Sequence, residues 1–98
     1  MTKLESLSIF FPFWNEENNV EAVVEKAIPI AQKIARKWEI LIIDDGSSDG
    51  TLKKAELLAK KYPQVRVISH MPNRGYGAAL KSGFENVTST QPFSITLS

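Results

Sequence analysis

The stretch EILIIDDGSSDGT, Glu39 to Thr51, decides the fold of this 98-residue chain. A short apolar run rich in isoleucine stops at two adjacent aspartates and gives way to glycines and small polar residues. Its shortness and its β-branched residues favour a buried strand over a helix. The polar residues that follow therefore form a loop at the carboxyl end of a strand, where α/β proteins hold their ligands.

The same stretch has an alternative interpretation as a calcium-binding loop. Counted from Asp45 it reads D-x-S-x-D-G, with Glu56 at the twelfth position, which is close to an EF-hand. An EF-hand loop lies between two helices, whereas the leading flank here is typical of a strand. Lys53 also occupies the ninth position, where a ligand or a bridging water is usual. The strand-end interpretation is therefore preferred.

The composition narrows the class of protein. Twelve basic and eleven acidic side chains leave a net charge of +1 without a basic stripe, which argues against a nucleic-acid partner. Without cysteine the chain has no disulfide framework and no thiol nucleophile. The single histidine, His70, cannot form a histidine metal cluster and is expected simply to end a strand. No apolar run reaches the roughly 18 residues of a membrane span, and no signal-peptide pattern is present, so we expect a cytoplasmic protein.

Strands and helices alternate along the first half of the chain. LSIFFPF, Leu7 to Phe13, is nearly all apolar and predicts a strand buried on both faces. Apolar residues at spacings of three and four, from Val20 to Trp38, predict an amphipathic helix. Pro29 should kink or break that helix because it lacks a backbone N–H and its ring crowds the preceding turn.

The second half repeats the pattern. A helix from about Gly50 to Lys61, with Asp49 as its N-cap, precedes the strand VRVISH. The loop MPNRGYG, a helix from Ala78 to Glu85 and the strand FSITLS follow. The order β-α-β-α-β-α-β predicts a three-layer α/β/α fold, a Rossmann-like parallel sheet with right-handed crossovers. The polar clusters PFWNEE, DDGSSDG and HMPNRGYG then meet at one edge of the sheet.

Several side chains at this edge could bind a ligand. Asp44 and Asp45 leave the strand side by side, so at least one should face a shared cavity, where a carboxylate can accept hydrogen bonds from a nucleobase or ribose or ligate a cation. Capping of the turn is the alternative. Glu16 and Glu17 fit the first turn of a helix, yet one of them is within reach of the two aspartates. Arg74 could pair with a phosphate, although an ordinary surface arginine is equally compatible.

The glycines of GYGAAL do not form a dinucleotide-binding fingerprint. Leu80 stands where the third glycine belongs, and the motif follows the third strand rather than the first. Gly75 and Gly77 instead fit a tight turn or a close approach of the backbone to a ligand.

Together these motifs resemble a known family. PFWNEE, IIDDGSSDGT and NRGYGAALKSGF, in this order and spacing, resemble the nucleotide-binding half of inverting family 2 glycosyltransferases. The resemblance covers about Ser6 to Phe84 and is closest to the branch of dolichyl-phosphate mannosyl- and glucosyltransferases. It implies a GT-A fold with strand order 3-2-1-4 that binds a UDP- or GDP-sugar with Mg²⁺ or Mn²⁺. It also implies transfer of the sugar, with inversion, to an acceptor such as a polyprenyl phosphate or a glycan.

The resemblance assigns nucleotide-binding positions by their place in the motifs. The segment that lines the nucleobase and ribose corresponds to Pro12, Trp14 and Glu16. The residue that reads the base corresponds to Asp44 or Asp45, and the loop flanking the nucleotide corresponds to Arg74 and Gly75. A tryptophan replaces the usual tyrosine but keeps an aromatic face. The assigned residues are Pro12, Trp14, Glu16, Asp44, Asp45, Arg74 and Gly75.

The resemblance also implies parts that lie beyond this sequence. The DxD metal motif would follow the fourth strand, where the chain ends at Ser98, and the catalytic base would lie further on. We therefore expect a single truncated N-terminal domain, residues 1–98, that has no catalytic or metal residues and is inactive alone. Self-association through the open sheet edge is also expected. The competing interpretation is a non-catalytic α/β module that binds a nucleotide or a protein.

Overall fold

The computed structural model describes residues 2–86 and the backbone of residues 92–94, and within them a four-stranded sheet lies between helices on both faces. Its strand order is β3-β2-β1-β4 and every neighbouring pair is parallel. The predicted α/β fold and strand order are thereby confirmed. The elements are β1 Leu4–Phe13, α1 Val20–Ile34, β2 Ala35–Asp45, α2 Thr51–Lys61, β3 Val65–His70, α3 Tyr76–Asn86 and β4 Pro92–Ser94.

The two central strands, β1 and β2, are buried on both faces, which explains their continuous apolar runs. Successive side chains of a strand point to opposite faces. In β2, Ile40 and Ile42 pack in the core beneath α1 and α2, whereas Leu41 and Ile43 pack in the smaller core beneath α3. This alternation also decides on which face each residue at the carboxyl end of β2 lies.

Helix α3 approaches the sheet closely at a glycine. A Cβ atom on Gly83 would lie only 2.3 Å from Cδ2 of Phe10, so a larger residue would push the helix away from the sheet. The next residue, Phe84, packs its ring edge against Phe10 with centroids 5.1 Å apart. The helix begins at Tyr76 rather than at the predicted Ala78, so an additional part of the loop after β3 is helical.

The predicted end of the first helix was wrong. Helix α1 ends at Ile34, and Ala35 to Trp38 belong to β2, where they pair with Leu4 to Leu7 of β1. Pairing with a neighbouring strand overrides the helical spacing of the sequence, because a strand satisfies the same backbone groups and buries Ala35 equally well. Of the two outcomes predicted for Pro29, a kink or a break, the break does not occur, because α1 continues through Pro29 while Ile28 and Ala31 pack in the core.

An exposed polar cluster joins α1 to α2. The Tyr62 hydroxyl donates to Glu25 Oε2 over 2.6 Å, and Lys61 Nζ lies 3.2 Å from the same oxygen. The hydrogen bond from Tyr62 and then that from Lys61 lower the pKa of Glu25, and Glu25 in turn raises the pKa of Lys61. The cluster fixes the relative position of the two helices but adds little stability at a solvent-exposed site.

The fourth strand is described only in part. Its backbone is described at Pro92–Ser94, paired with β1, whereas the predicted continuation to Ser98 lies outside the described residues. The outer strands of the sheet are β3 and β4, and an unpaired outer strand can pair with another chain. Self-association through the open sheet edge stays a prediction. No helix among the described residues is long and apolar enough to cross a membrane.

Candidate functional site

Three strands end together at one edge of the sheet. Phe13 at the end of β1 pairs with Asp44, and Asp45 at the end of β2 pairs with His70 at the end of β3. The loops that follow these strands are residues 14–19 (loop 1), 46–50 (loop 2) and 71–75 (loop 3). They meet at the carboxyl edge of the sheet, as the sequence predicts, at the place where open parallel sheets bind ligands.

A cleft of about 280 Å³ opens between the end of β2, loops 1 and 3, and α3. Trp14 and Tyr76 line it while remaining 57% and 56% exposed, so both aromatic rings are accessible to a ligand. The cleft combines apolar walls with a few polar groups, which is typical of small-molecule sites. Its lining consists of Pro12, Phe13, Trp14, Glu16, Asp45, Asn73, Gly75, Tyr76 and Ala79.

The two adjacent aspartates lie on opposite faces of β2. Asp45 follows the alternation of Leu41 and Ile43 towards α3, and it lines the cleft. Asp44 lies on the other face and is fully buried. One oxygen of Asp44 accepts a long hydrogen bond, 3.4 Å, from the Ser47 N–H, and the other accepts none from the described residues. Of the pair, Asp45 is the carboxylate that the geometry offers to a ligand in the cleft.

Asp45 also holds loop 3 in place. Its Oδ1 accepts the Arg74 N–H over 2.8 Å and its Oδ2 accepts the Gly75 N–H over 2.9 Å. Its backbone carbonyl accepts a hydrogen bond from the Asn73 side chain over 2.7 Å. Hydrogen bonds to an ionised carboxylate are stronger than neutral ones, so this one residue fastens the loop that forms a wall of the cleft.

A glycine permits the close contact between loops 2 and 3. Gly46 has φ +71°, a conformation that costs a residue with a side chain about 1 kcal/mol or more. A Cβ atom at this position would also lie 2.5 Å from the Asn73 backbone nitrogen. The first glycine of DDGSSDG, Gly46, is therefore required both by its backbone conformation and by the small space around it.

Loop 2 is joined to loop 1 by several separate hydrogen bonds. From loop 2 to loop 1, the Ser48 N–H donates to Asn15 Oδ1 over 2.8 Å. The small polar residues after Asp45 thus satisfy the backbone that leads into α1, which fixes Trp14 and Glu16 beside the cleft. The N–H groups of Asn15, Glu16 and Glu17 donate to Ser47 Oγ (2.9 Å), Thr51 Oγ1 (2.8 Å) and Asp49 Oδ2 (3.3 Å), in that order.

Asp49, in loop 2, binds both the backbone of loop 1 and the start of α2. The sequence predicts it as the N-cap of α2, but the N-cap position belongs to Gly50 and the helix begins at Thr51. Asp49 Oδ1 nevertheless accepts the Thr51 N–H over 3.0 Å and also accepts the Thr51 hydroxyl. The hydrogen bond from the Thr51 hydroxyl is the main cause that lowers the pKa of Asp49. Asp49 therefore satisfies the helix terminus from the position before the N-cap.

The structure brings together most of the residues that the sequence selected. Those predicted residues that line the cleft are Pro12, Trp14, Glu16, Asp45 and Gly75. Asp44 and Arg74 are not among the lining residues, and the exposed Arg74 side chain forms no ion pair with the described residues. The role of each residue in nucleotide binding stays a prediction.

Sequence reasoning missed four lining residues, and the reasons differ. Asn73 lies inside a quoted motif, NRGYG, and its side chain was not singled out. Tyr76 and Ala79 line the cleft from the first turn of α3, which starts earlier than its periodicity indicates. Phe13 reads as an ordinary strand residue. His70 does end β3 as expected, yet it is buried and contacts Asp45, which no local signal in the sequence indicates.

The described residues do not provide a metal site. No group of three or more histidine, cysteine, aspartate or glutamate side chains among residues 2–86 is placed to hold a metal ion. The Mg²⁺ or Mn²⁺ that the family resemblance implies thus finds no ligand set in this part of the chain. The calcium-loop alternative also loses its structural context, because the segment from Asp45 follows a strand and not a helix.

Comparison with known sequences connects this geometry to a family. The family model Glycosyl transferase family 2 matches residues 8–96. The undecaprenyl-phosphate 4-deoxy-4-formamido-L-arabinose transferase of Pectobacterium atrosepticum is 35% identical over 86 residues, which cover 84% of this chain and 25% of that protein. The enzyme of the same name from Photorhabdus laumondii is 32% identical over 89 residues, covering 87% and 26%. The chain spans about a quarter of the length of these relatives.

A solved structure agrees with the sequence match. The mannosyltransferase PcManGT from Pyrobaculum calidifontis, in complex with GDP-Man and Mn²⁺, matches with a TM-score of 0.75 and 20% identity, over 89% of this chain and 26% of that one. At this identity the likeness shows the fold alone, so the sheet and its helices form part of a GT-A fold. With the match over residues 8–96, the chain belongs to glycosyl transferase family 2.

Proposed function

We propose that this chain is the nucleotide-sugar-binding part of a glycosyltransferase that uses a UDP- or GDP-sugar. The observation that carries the proposal is the cleft at the carboxyl ends of three parallel strands, in a member of glycosyl transferase family 2. The structural neighbour holds GDP-Man with Mn²⁺, which supports a nucleotide-sugar donor and a divalent metal for the longer protein. The names of the relatives support a polyprenyl phosphate as the acceptor.

The side chains of the cleft suit the parts of such a donor. The exposed rings of Trp14 and Tyr76 offer faces on which a nucleobase can stack, an interaction worth about 1–3 kcal/mol. Asp45, only 5% exposed, can accept a hydrogen bond from a base N–H group, because an ionised carboxylate has about four acceptor sites and three of them are used within the protein. Glu16 can accept a ribose hydroxyl. The exposed guanidinium of Arg74 can pair with the diphosphate.

We also propose that the isolated chain binds a nucleotide but transfers no sugar. Residues 2–86 contain no metal-binding cluster, and the chain spans about a quarter of its relatives. A transfer assay with UDP- and GDP-sugars, Mn²⁺ and a polyprenyl phosphate should give no product. Product formation by the isolated chain would contradict this part of the proposal and leave donor binding untouched.

The two tryptophans of the chain provide a direct test of donor binding. Trp14 lines the cleft, whereas Trp38 lies towards the opposite end of β2, where it pairs with Leu7. In a Trp38→Phe variant the fluorescence comes from Trp14 alone. We expect a saturable change when UDP or GDP is added with Mg²⁺, because a stacked base alters the surroundings of the indole ring.

The matched control is Trp14→Phe, in which only Trp38 reports and no change is expected. A response to one nucleotide and not to the other would name the donor base, and ADP tests the selectivity. If a cooperatively folded Trp38→Phe variant shows no saturable response to either nucleotide, this chain does not bind the donor by itself.

A further inference from the structure

A row of three side chains leads from α3 to the carboxylate of the cleft. The Ser82 Oγ lies 2.6 Å from His70 Nε2, and His70 Nδ1 lies 3.2 Å from Asp45 Oδ1. His70 is 3% exposed and Ser82 is half-buried. His70 and Asp45 are also partners in the register of β2 and β3, so the backbone of the sheet itself places them side by side.

The chemistry of these three side chains determines which atom donates in each of the two hydrogen bonds. An ionised carboxylate can only accept, so Nδ1 of His70 carries the hydrogen and donates it to Asp45. When the ring is neutral, its Nε2 atom is then an acceptor, and the Ser82 hydroxyl donates to it. The imidazole is consequently held at both ends, and its orientation is set by the sheet on one side and by α3 on the other.

Serine, histidine and aspartate in a row suggest a nucleophilic triad, but the surroundings do not fit one. Ser82 lies inside α3, where the backbone N–H groups are engaged in the helix and cannot form an oxyanion hole. Asp45 is also bound by the N–H groups of Arg74 and Gly75, so its carboxylate belongs to the wall of the cleft. The row of Ser82, His70 and Asp45 is instead suited to hold the Asp45 carboxylate in a fixed orientation.

The hydrogen bonds divide unequally between the two oxygens of Asp45. Its Oδ1 accepts both His70 Nδ1 and the Arg74 N–H, whereas its Oδ2 accepts only the Gly75 N–H. Each carboxylate oxygen has two acceptor sites. Oδ1 is therefore fully used, and Oδ2 keeps one site for a ligand.

We propose that His70, held by Ser82, is a positioning residue that turns the free acceptor site of Asp45 Oδ2 towards the nucleobase. This inference rests on the proposed donor-binding function. Without the His70 bond, Oδ1 would regain a free site and the carboxylate could rotate about its last side-chain bond. The ligand would then meet either oxygen, and the N–H groups of Arg74 and Gly75 would be held less firmly.

The test compares two replacements of the histidine. His70→Asn keeps an N–H donor near the position of Nδ1, whereas His70→Leu removes it at similar size. In the Trp38→Phe background we expect His70→Leu to weaken the binding of whichever nucleotide responds, UDP or GDP, about tenfold or more. This is the effect of losing a hydrogen bond to a charged group. His70→Asn should stay within about threefold, and Ser82→Ala should weaken binding about threefold. Ser69→Ala, at an exposed neighbour, is the control and should change nothing.

A second readout needs no nucleotide. Amide hydrogen exchange should become faster at Arg74 and Gly75 in His70→Leu but not in His70→Asn, while core strand amides such as that of Leu41 keep their protection. The imidazole ¹⁵N spectrum of the unaltered chain at pH 8 should show a protonated Nδ1 and an unprotonated Nε2.

The outcomes separate this inference from the proposed function. The opposite tautomer, or unchanged exchange at Arg74 and Gly75 in His70→Leu, would overturn the positioning role whatever the nucleotide does. Equal damage by Asn and Leu, spread over all amides, would also overturn it, because His70 would then act only through packing. If exchange and tautomer are as expected but no nucleotide binds, the proposed function fails while the His70–Asp45 arrangement stands.

Discussion

The junction of loops 1 and 2 and the junction between the end of β2 and loop 3 are built in opposite ways. At the first, the N–H groups of loop 1 go to different side chains, with Ser47 and Thr51 among the acceptors. At the second, the N–H groups of Arg74 and Gly75 and the ring of His70 all converge on Asp45. The first junction is therefore distributed, whereas the second is concentrated in one residue, Asp45, whose carboxylate and backbone carbonyl both hold loop 3.

The difference shows where structure and binding are coupled. A single substitution at the distributed junction removes one or two hydrogen bonds, each worth about 1 kcal/mol. A change at Asp45 removes several charge-assisted bonds and at the same time alters a residue that lines the cleft. A ligand that engages Asp45 would thus also affect the order of loop 3, whereas the backbone of loop 1 is held by side chains that do not line the cleft.

The largest effect is expected for Asp45→Asn. The amide offers fewer acceptor sites to three donors, so the free energy of unfolding should fall by about 2–3 kcal/mol. Asp44→Asn is the matched control, because Asp44 is also buried but accepts a single bond of 3.4 Å, and its free energy of unfolding should fall by less than about 1 kcal/mol. Urea denaturation followed by circular dichroism measures both. Equal losses would mean that the second junction is not concentrated in Asp45.

Gly46→Ala should be next in size. The left-handed φ and the 2.5 Å approach of a Cβ to the Asn73 nitrogen should together cost about 2 kcal/mol of unfolding free energy. Gly77→Ala is the control, since no atom lies within 4 Å of its Cβ position inside α3, and it should stabilise by about 0.5–1 kcal/mol. Thermal and urea unfolding of both variants test this. A neutral Gly46→Ala would show that loop 3 can move away freely.

A smaller effect is expected at the distributed junction. Thr51→Val keeps the shape of a fully buried side chain but leaves the Glu16 N–H without its acceptor and Asp49 without the hydroxyl that donates to it, which should cost about 1–2 kcal/mol. Ser48→Ala, at an exposed residue, should lie within about 0.5 kcal/mol of the unaltered chain. The same urea titration compares them. A loss at Thr51 as large as that at Asp45 would remove the contrast between the two junctions.

The smallest effect concerns the pH dependence contributed by Asp49. Hydrogen bonds, chiefly from the Thr51 hydroxyl, lower the pKa of Asp49 in the folded state. The ionised form is thus favoured by folding, so this contribution is present above the unfolded pKa, near 4, and is lost as the pH falls through the lower folded value. Unfolding at pH 6 and pH 3 should differ less in Asp49→Asn than in the unaltered chain. An unchanged difference would show that Asp49 contributes nothing to the acid sensitivity.

The sequence alone was sufficient for the fold, for physical reasons visible in particular segments. The apolar run Ile40 to Ile43 and the spacing of apolar residues in α2 are local signals, because burial on two faces of a strand or on one stripe of a helix dictates which residues are allowed. Strand order followed from the family resemblance. The end of α1 was mispredicted because pairing of Ala35 to Trp38 with β1 is a long-range interaction that leaves no local signal.

The candidate site was predicted only as a neighbourhood. The sequence placed two aspartates, Asp44 and Asp45, at the ligand edge, but it could not say which one lines the cleft. That choice is made by the register and alternation of β2, which send Asp44 into the core and Asp45 towards α3. The partnership of Asp45 with His70 likewise joins residues from different strands, and only tertiary structure brings these groups within hydrogen-bonding distance.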